Sequence, residues 1–182
     1  MERDYSNNRI QDFLKPRRGK IQQGYYVCKN PQKYVGDLSK IVFRSSWEFK
    51  FLRWCDNTPS VLKFSSEPLC IPYMDPVDKR VHQYYIDFWV EMLDREGKVN
   101  RWLIEVKPER HLVIPPEPKN QTATALANHI SQVKRVMKNI AKFQAARNFA
   151  KMQNMRFGVL RLNRTTEEFE FVIWEKGAEN GI

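Results

Sequence analysis

Residues 82–107 read HQYYIDFWVEMLDREGKVNRWLIEVK, and the pattern of this stretch decides the fold. Two runs rich in aromatic and β-branched residues, 82–93 and 99–107, flank Asp94-Arg95-Glu96-Gly97-Lys98. Such runs read as strands, and a short polar joint with glycine at its end suits a hairpin whose glycine turns left-handed. With Arg95, Glu96 and Gly97 as the loop, Asp94 pairs with Lys98, and the same register carries Asp87 opposite Glu105. Side chains alternate along a strand, so Lys107 shares the face of Glu105. The other face collects Ile86, Phe88, Val90 and Met92 from one strand and Trp102, Ile104 and Val106 from its neighbour.

Two carboxylates therefore meet across the hairpin with an ammonium beside them. Like charges directly opposed weaken a sheet, and two acids sharing a site raise one pKa unless something neutralises them. A divalent cation resolves the conflict, and hard oxygen ligands with room for water and phosphate suit Mg²⁺. Lys107 then stands where it can hold an attacking water or stabilise charge on a phosphate. The plainer reading is a solvent-facing hairpin on which Lys107 neutralises Asp87 and Glu105. The pairing register, the apolar flanks and the basic chain favour the metal site.

Working outward, residues 44–56 (RSSWEFKFLRWCD) form a short amphipathic helix capped by Ser45 or Ser46, with Trp47, Phe51 and Trp54 or Cys55 as its buried stripe. Glu48, in its first turn, either points at the same metal or simply complements the helix dipole. Residues 61–64 and 69–73 are short strands punctuated by Pro68 and Pro72. Residues 108–119 are a proline-rich loop, and 121–155 a long helix with Ile130, Val133, Met137 and Ile140 on one stripe. Two strands, 157–162 and 169–174, complete the list. The expected architecture is α/β, a mixed central sheet flanked by helices.

Residues 1–39 lack apolar periodicity and read as an extended basic arm, with 40–182 as the folded domain. The arm carries Lys15, Arg17, Arg18 and Lys20, and is either disordered in isolation or laid along DNA or a partner protein. Tyr25-Tyr26-Val27 reads as a short strand or an anchor onto the body. On the long helix Lys134, Arg135, Lys138 and Lys142 lie away from the apolar stripe, either as phosphate contacts or as solvated surface. Glu67 reads as a salt-bridge partner for Arg44 or a secondary acid. His82 reads as a strand-end residue or a general base. Ser45 and Ser46 lack the His and Asp of a nucleophilic triad.

Composition sets the class of partner. Lys and Arg number 31 against 21 Asp and Glu, a net +10, and a surplus of that size favours a polyanion, with double-stranded DNA first. Cys28, Cys55 and Cys70 are far apart and form no CxxC pair, so neither a zinc knuckle nor a disulfide framework is expected. The start MERDYSNNRI has no apolar core of a signal peptide, and no 18-residue apolar run exists, so a membrane partner is not expected.

At Glu48, Ile86-Asp87 and Glu105-Val106-Lys107 the sequence resembles the PD-(D/E)XK nuclease superfamily, in which an acidic helix residue precedes a hairpin bearing Asp and then Glu-X-Lys. Ile86 stands where that family has proline, a position that carries no ligand. Asn30-Pro31-Gln32-Lys33-Tyr34-Val35-Gly36-Asp37, Ser66-Glu67-Pro68 and Tyr84-Tyr85-Ile86-Asp87-Phe88 are similar to the head-completion family of T4-like phages. Transposon end-cleaving subunits look like more distant relatives. The resemblance implies Asp87, Glu105 and Glu48 as metal ligands, Lys107 as the catalytic cation, and DNA, portal, neck or head proteins as partners. It implies a place at the head–tail connector of the virion, reached from the host cytoplasm. A neck or portal-gripping protein without cleavage is the alternative.

Overall fold

The computed structural model describes residues 23–162 and 169–173. Lys15, Arg17, Arg18 and Lys20 of the expected arm lie outside them. The strands are β1 (Gly24–Tyr25), β2 (Val42–Phe43), β3 (Val61–Ser66), β4 (Cys70–Met74), β5 (Val81–Tyr85), β6 (Phe88–Leu93), β7 (Val99–Pro108), β8 (Arg156–Leu162) and β9 (Phe169–Ile173). Helix α1 spans Ser46–Asn57 and α2 spans Ala123–Met152.

The central sheet has the order β3-β6-β7-β8-β9. It is mixed: β7 and β8 run parallel, and the other neighbours are antiparallel. A parallel pair needs a crossover, and α2 supplies it. The hairpin has the predicted register, with Phe88 opposite Ile104 and Leu93 opposite Val99. Gly97 adopts φ +78° and donates to the Asp94 carbonyl at 3.1 Å, the left-handed closure that favours glycine.

The expected strand 82–93 is two strands in two sheets. β5 pairs with β4 as a separate ribbon, whereas β6 joins the central sheet. The break falls at Ile86-Asp87, facing Glu67-Pro68-Leu69, where β3 gives way to β4. Only single bonds bridge the gap, from Glu67 N–H to the Asp87 carbonyl at 2.9 Å and from Ile86 N–H to the Leu69 carbonyl at 3.3 Å. Pro68 has no N–H to continue the ladder, and Glu67 takes φ +44°, which bends the chain there. One consequence corrects the facial assignment: Ile86 packs with Leu103, Phe143 and Phe157, not with Phe88 and Val90.

Two cores lie on the two faces of the sheet. On the α1 face Phe88, Val90, Trp102, Ile104 and Val106 meet Phe51, Leu52 and Cys55. On the α2 face Leu103, Phe157 and Val159 meet Phe143, Ala146 and Ala150 of the helix and Ile71, Tyr73 and Tyr84 of the ribbon. The stripe expected on α2 is displaced. Val136, Asn139, Phe143, Ala146 and Ala150 are its buried residues, while Ile130 and Met137 face solvent. Small alanines, Ala146 and Ala150, let the helix approach the sheet. In α1 the stripe closes on Cys55, which is buried with Phe51, while Trp54 is exposed; Asp56 is buried as well, which amphipathic spacing does not anticipate.

Asp56 has a structural reason for its burial. It accepts hydrogen bonds from Tyr26 Oη at 2.6 Å, Lys29 N–H at 2.7 Å and Asn30 N–H at 2.9 Å. The segment from residue 23 is thereby tied to the body, with Tyr26 buried in the α1-side core, as its anchoring role requires. At the sheet edge, Gly158 leaves a notch into which Phe171 lies, since a Cβ there would stand 2.2 Å from the ring. The same ring meets Trp102 edge-on at 4.9 Å. No helix of the described residues is long and apolar enough to cross a membrane.

Burial pushes the Asp56 carboxyl upward, but the bonds from Tyr26, Lys29 and Asn30 outweigh it and hold the pKa below the ordinary carboxylate value. Stability from this group is therefore complete near neutral pH and fades as pH falls through the acid range. Asp56→Ala leaves several buried donors without an acceptor and is expected to cost about 3 kcal/mol at pH 7. Urea unfolding at pH 7 and at about pH 2.5, below the ordinary carboxylate value, checks this, with a smaller deficit expected at the lower pH.

Candidate active site

The acidic pair sits where β6 begins and β7 approaches its end, on the face covered by α2 and the ribbon. Alternation along β7 sends Trp102, Ile104 and Val106 to the α1 core and leaves Leu103, Glu105 and Lys107 on the α2 side. Glu105 is only 2% exposed, so the solvent-facing reading of the hairpin does not hold. Its Oε1 is ion-paired with Lys107 Nζ, and its Oε2 accepts from Tyr84 Oη at 2.6 Å. Lys107 Nζ stands 3.9 Å from Asp87 Oδ2. That oxygen also accepts the Val106 N–H at 2.8 Å. The break in the strand thus turns Asp87 toward the end of β7.

Burial, then the charge of Glu105, drives the Asp87 pKa well above the ordinary carboxylate value; Lys107 offsets part of this, and Glu48 adds to it. Lys107 is opposed by burial but raised overall by Glu105 and Asp87, so it is a firm cation. Burial and then Glu105 raise the Tyr84 phenol, which stays a donor. Lys142 of α2 stands 5.5 Å above the rings of both Tyr73 and Tyr84. Its pKa is lowered by burial and then by repulsion from Lys107, with Glu105 and Asp87 acting in the opposite sense.

Glu48 serves the cap of α1. Ser45 Oγ accepts the Glu48 N–H at 3.2 Å and donates to Glu48 Oε1 at 2.8 Å, while Glu48 Oε2 accepts the Arg44 N–H at 2.7 Å. This is a reciprocal cap, and the charge of Glu48 still acts on Asp87 and Lys107. Among the described residues, the trio of potential ligands whose atoms lie within 4.8 Å of one another is Asp75, Asp78 and His82, not residues 48, 87 and 105. In that trio His82 Nε2 pairs with Asp78 at 2.8 Å and Asp75 pairs with Lys138 at 2.7 Å, so its charges are already met by neighbours. Glu67 pairs with Arg44 at 2.5 Å.

Lys134, Arg135, Lys138 and Lys142 line one groove of 440 Å³ along α2. Lys138 is committed to the buried Asp75, and Lys142 turns inward, leaving Lys134 the most outward-facing of the three lysines. Arg135 Nη1 lies 3.3 Å from His111 Nε2. A second hollow, of 410 Å³, lies on the α1 face between Trp54, Trp102 and Phe171. Tyr84 and Asp75 went unnoticed in the sequence, where each reads as an ordinary strand or turn residue.

Oxygen donors suited to a hard divalent ion are gathered at the head of β6 and the tail of β7: the carboxylates of Asp87 and Glu105, and the Val106 carbonyl, which accepts Lys107 Nζ at 3.4 Å. These are the hard oxygen donors that a divalent cation takes, and such an ion would offset the repulsion between the two acids. A mixed sheet carrying an acidic pair and a lysine is consistent with an endonuclease-like domain, and sequence comparison supplies that class. The family described as TnsA-like endonuclease N terminal matches residues 58–161, and the chain belongs to it. The match includes Asp87, Glu105 and Lys107 and begins after Glu48. The head completion nuclease of Enterobacteria phage T4 is 32% identical over 137 residues, 75% of this chain and 89% of that protein. No solved structure matches.

Because folding raises the Asp87 pKa, stability from this group falls as pH rises through that elevated value. Asp87→Asn removes the buried charge and keeps an acceptor for Val106. With chelator at pH 8, it is expected to melt about 2–4 °C above wild type. Adding Mg²⁺ should raise the wild-type midpoint and leave the variant's unchanged, as differential scanning calorimetry would read.

Proposed function

We propose that the chain is a Mg²⁺-dependent DNA nuclease of the PD-(D/E)XK type that acts in phage head completion, on packaged DNA ends at the portal vertex. The observation that carries this is the Lys107 ammonium set between the Asp87 and Glu105 carboxylates at the meeting of two strands. A protein needing only a salt bridge has no reason to bury the second acid. The name of the T4 relative joins nuclease action to head completion, and the net charge of +10 suits DNA.

In this reading Asp87, Glu105 and the Val106 carbonyl would hold Mg²⁺, which would supply charge to lower the pKa of a bound water and offset the charge of the phosphate. Lys107 orients the attacking water and stabilises the added negative charge of the transition state. Glu48 has both oxygens engaged in its cap, so it assists from the outer sphere, through its charge on Asp87 and Lys107. Lys134 and Lys142 of α2, with Lys138 beside them, contact backbone phosphates flanking the cut. Lys15, Arg17, Arg18 and Lys20 of the arm extend that contact or meet a portal, neck or head protein.

Linear and circular double-stranded DNA incubated with the full chain and Mg²⁺ test the reading. Asp87→Ala and Lys107→Ala should each lower the cleavage rate by at least about 10²-fold, and chelator should abolish it. Wild type and both variants leaving DNA equally intact would sink the assignment.

A further inference from the structure

We propose that Tyr84 is the positioning residue for the metal-binding carboxylate of Glu105; the inference rests on Glu105 being a ligand of Mg²⁺, as assigned above. The terminal torsion of a glutamate is broad, so a lone carboxylate on a strand presents its oxygens in many orientations. Here both oxygens are assigned. Lys107 takes Oε1, and the Tyr84 hydroxyl donates to Oε2 at 2.6 Å. The hydroxyl fixes the plane of the carboxylate and determines which lone pairs remain for an ion.

The fixing group comes from outside the central sheet. Tyr84 belongs to the β4–β5 ribbon, which pairs with no strand of that sheet. It is 3% exposed, and its place is set by packing of Ile71 and Tyr73 against Phe143 and Ala146 of α2. The Asp75–Lys138 ion pair at 2.7 Å ties the turn of the ribbon to the same helix. A buried carboxylate with one outer partner is the arrangement by which proteins orient metal ligands, and removing such a partner typically weakens metal binding or activity by about 10–100-fold. The ring of Tyr84 also supports Lys142, so a change that keeps the ring isolates the hydroxyl.

Tyr84→Phe is that change. Tyr85→Phe is its control, because the Tyr85 hydroxyl bonds Gln83 on the exposed face of the same strand, at 3.1 Å. Calorimetric titration of the full chain with Ca²⁺ alone reads ion affinity without turnover, and cleavage of linear DNA against Mg²⁺ concentration reads the half-saturating dose. Tyr84→Phe is expected to weaken Ca²⁺ binding and raise the Mg²⁺ requirement by about 10-fold or more, with the melting midpoint in chelator close to wild type and Tyr85→Phe matching wild type throughout. Wild-type Ca²⁺ affinity and Mg²⁺ dose in Tyr84→Phe, or equal losses in both variants, would overturn the role of Tyr84 alone. A wild type that neither binds Ca²⁺ nor cuts DNA would overturn the metal assignment and this inference together.

Discussion

Two acids held together in a largely dry place are the constraint around which the molecule is arranged. Asp87 and Glu105 repel each other, and burial makes the repulsion worse. One ammonium cannot cancel both charges, yet the surroundings are built to keep the group in place: the Val106 amide on one acid, a tyrosine hydroxyl on the other, and a helix across the top. Natural structures keep such unfavourable clusters mainly at functional sites. The groups that act on it come from every layer of the fold: Lys107 offsets the repulsion from β7, Glu48 of α1 adds to it, and Lys142 of α2 stands over the Tyr84 ring.

Much of this was legible in the sequence because a hairpin is a local device. The loop Asp94–Lys98 sets the register, and register alone predicts which residues oppose each other. That is why Asp87, Glu105 and Lys107 could be placed together before any coordinates. The same arithmetic failed one residue earlier. Ile86 was assigned to the Phe88 face by alternation, but alternation holds only while a strand continues, and this one stops opposite Pro68.

The remainder was hidden because it depends on contacts distant in sequence. The inward face of α2 is chosen by what the sheet and ribbon present to it, so small alanines win over Ile130 and Met137. Glu48 showed the limit of residue type: the capping signal and the ligand signal are the same glutamate, and in the structure the cap takes its oxygens. Tyr84 stands in a stretch that resembles the phage family, but nothing there marks its role, since a tyrosine in a strand is ordinary until its hydroxyl is seen to reach another sheet. Asp56 was similarly invisible, its partners lying 26 to 30 positions away.

The notch at Gly158 bears on how the sheet is finished. β9 is an outermost strand, and outermost strands are prone to slide or to pair with strangers. The Phe171 ring works as a gauge pin: only one alignment seats it over the glycine and against Trp102. Sliding by one position would turn the ring to the other side, and sliding by two would carry it off the notch. A single missing methyl group thus polices the border of the domain, well away from the chemistry.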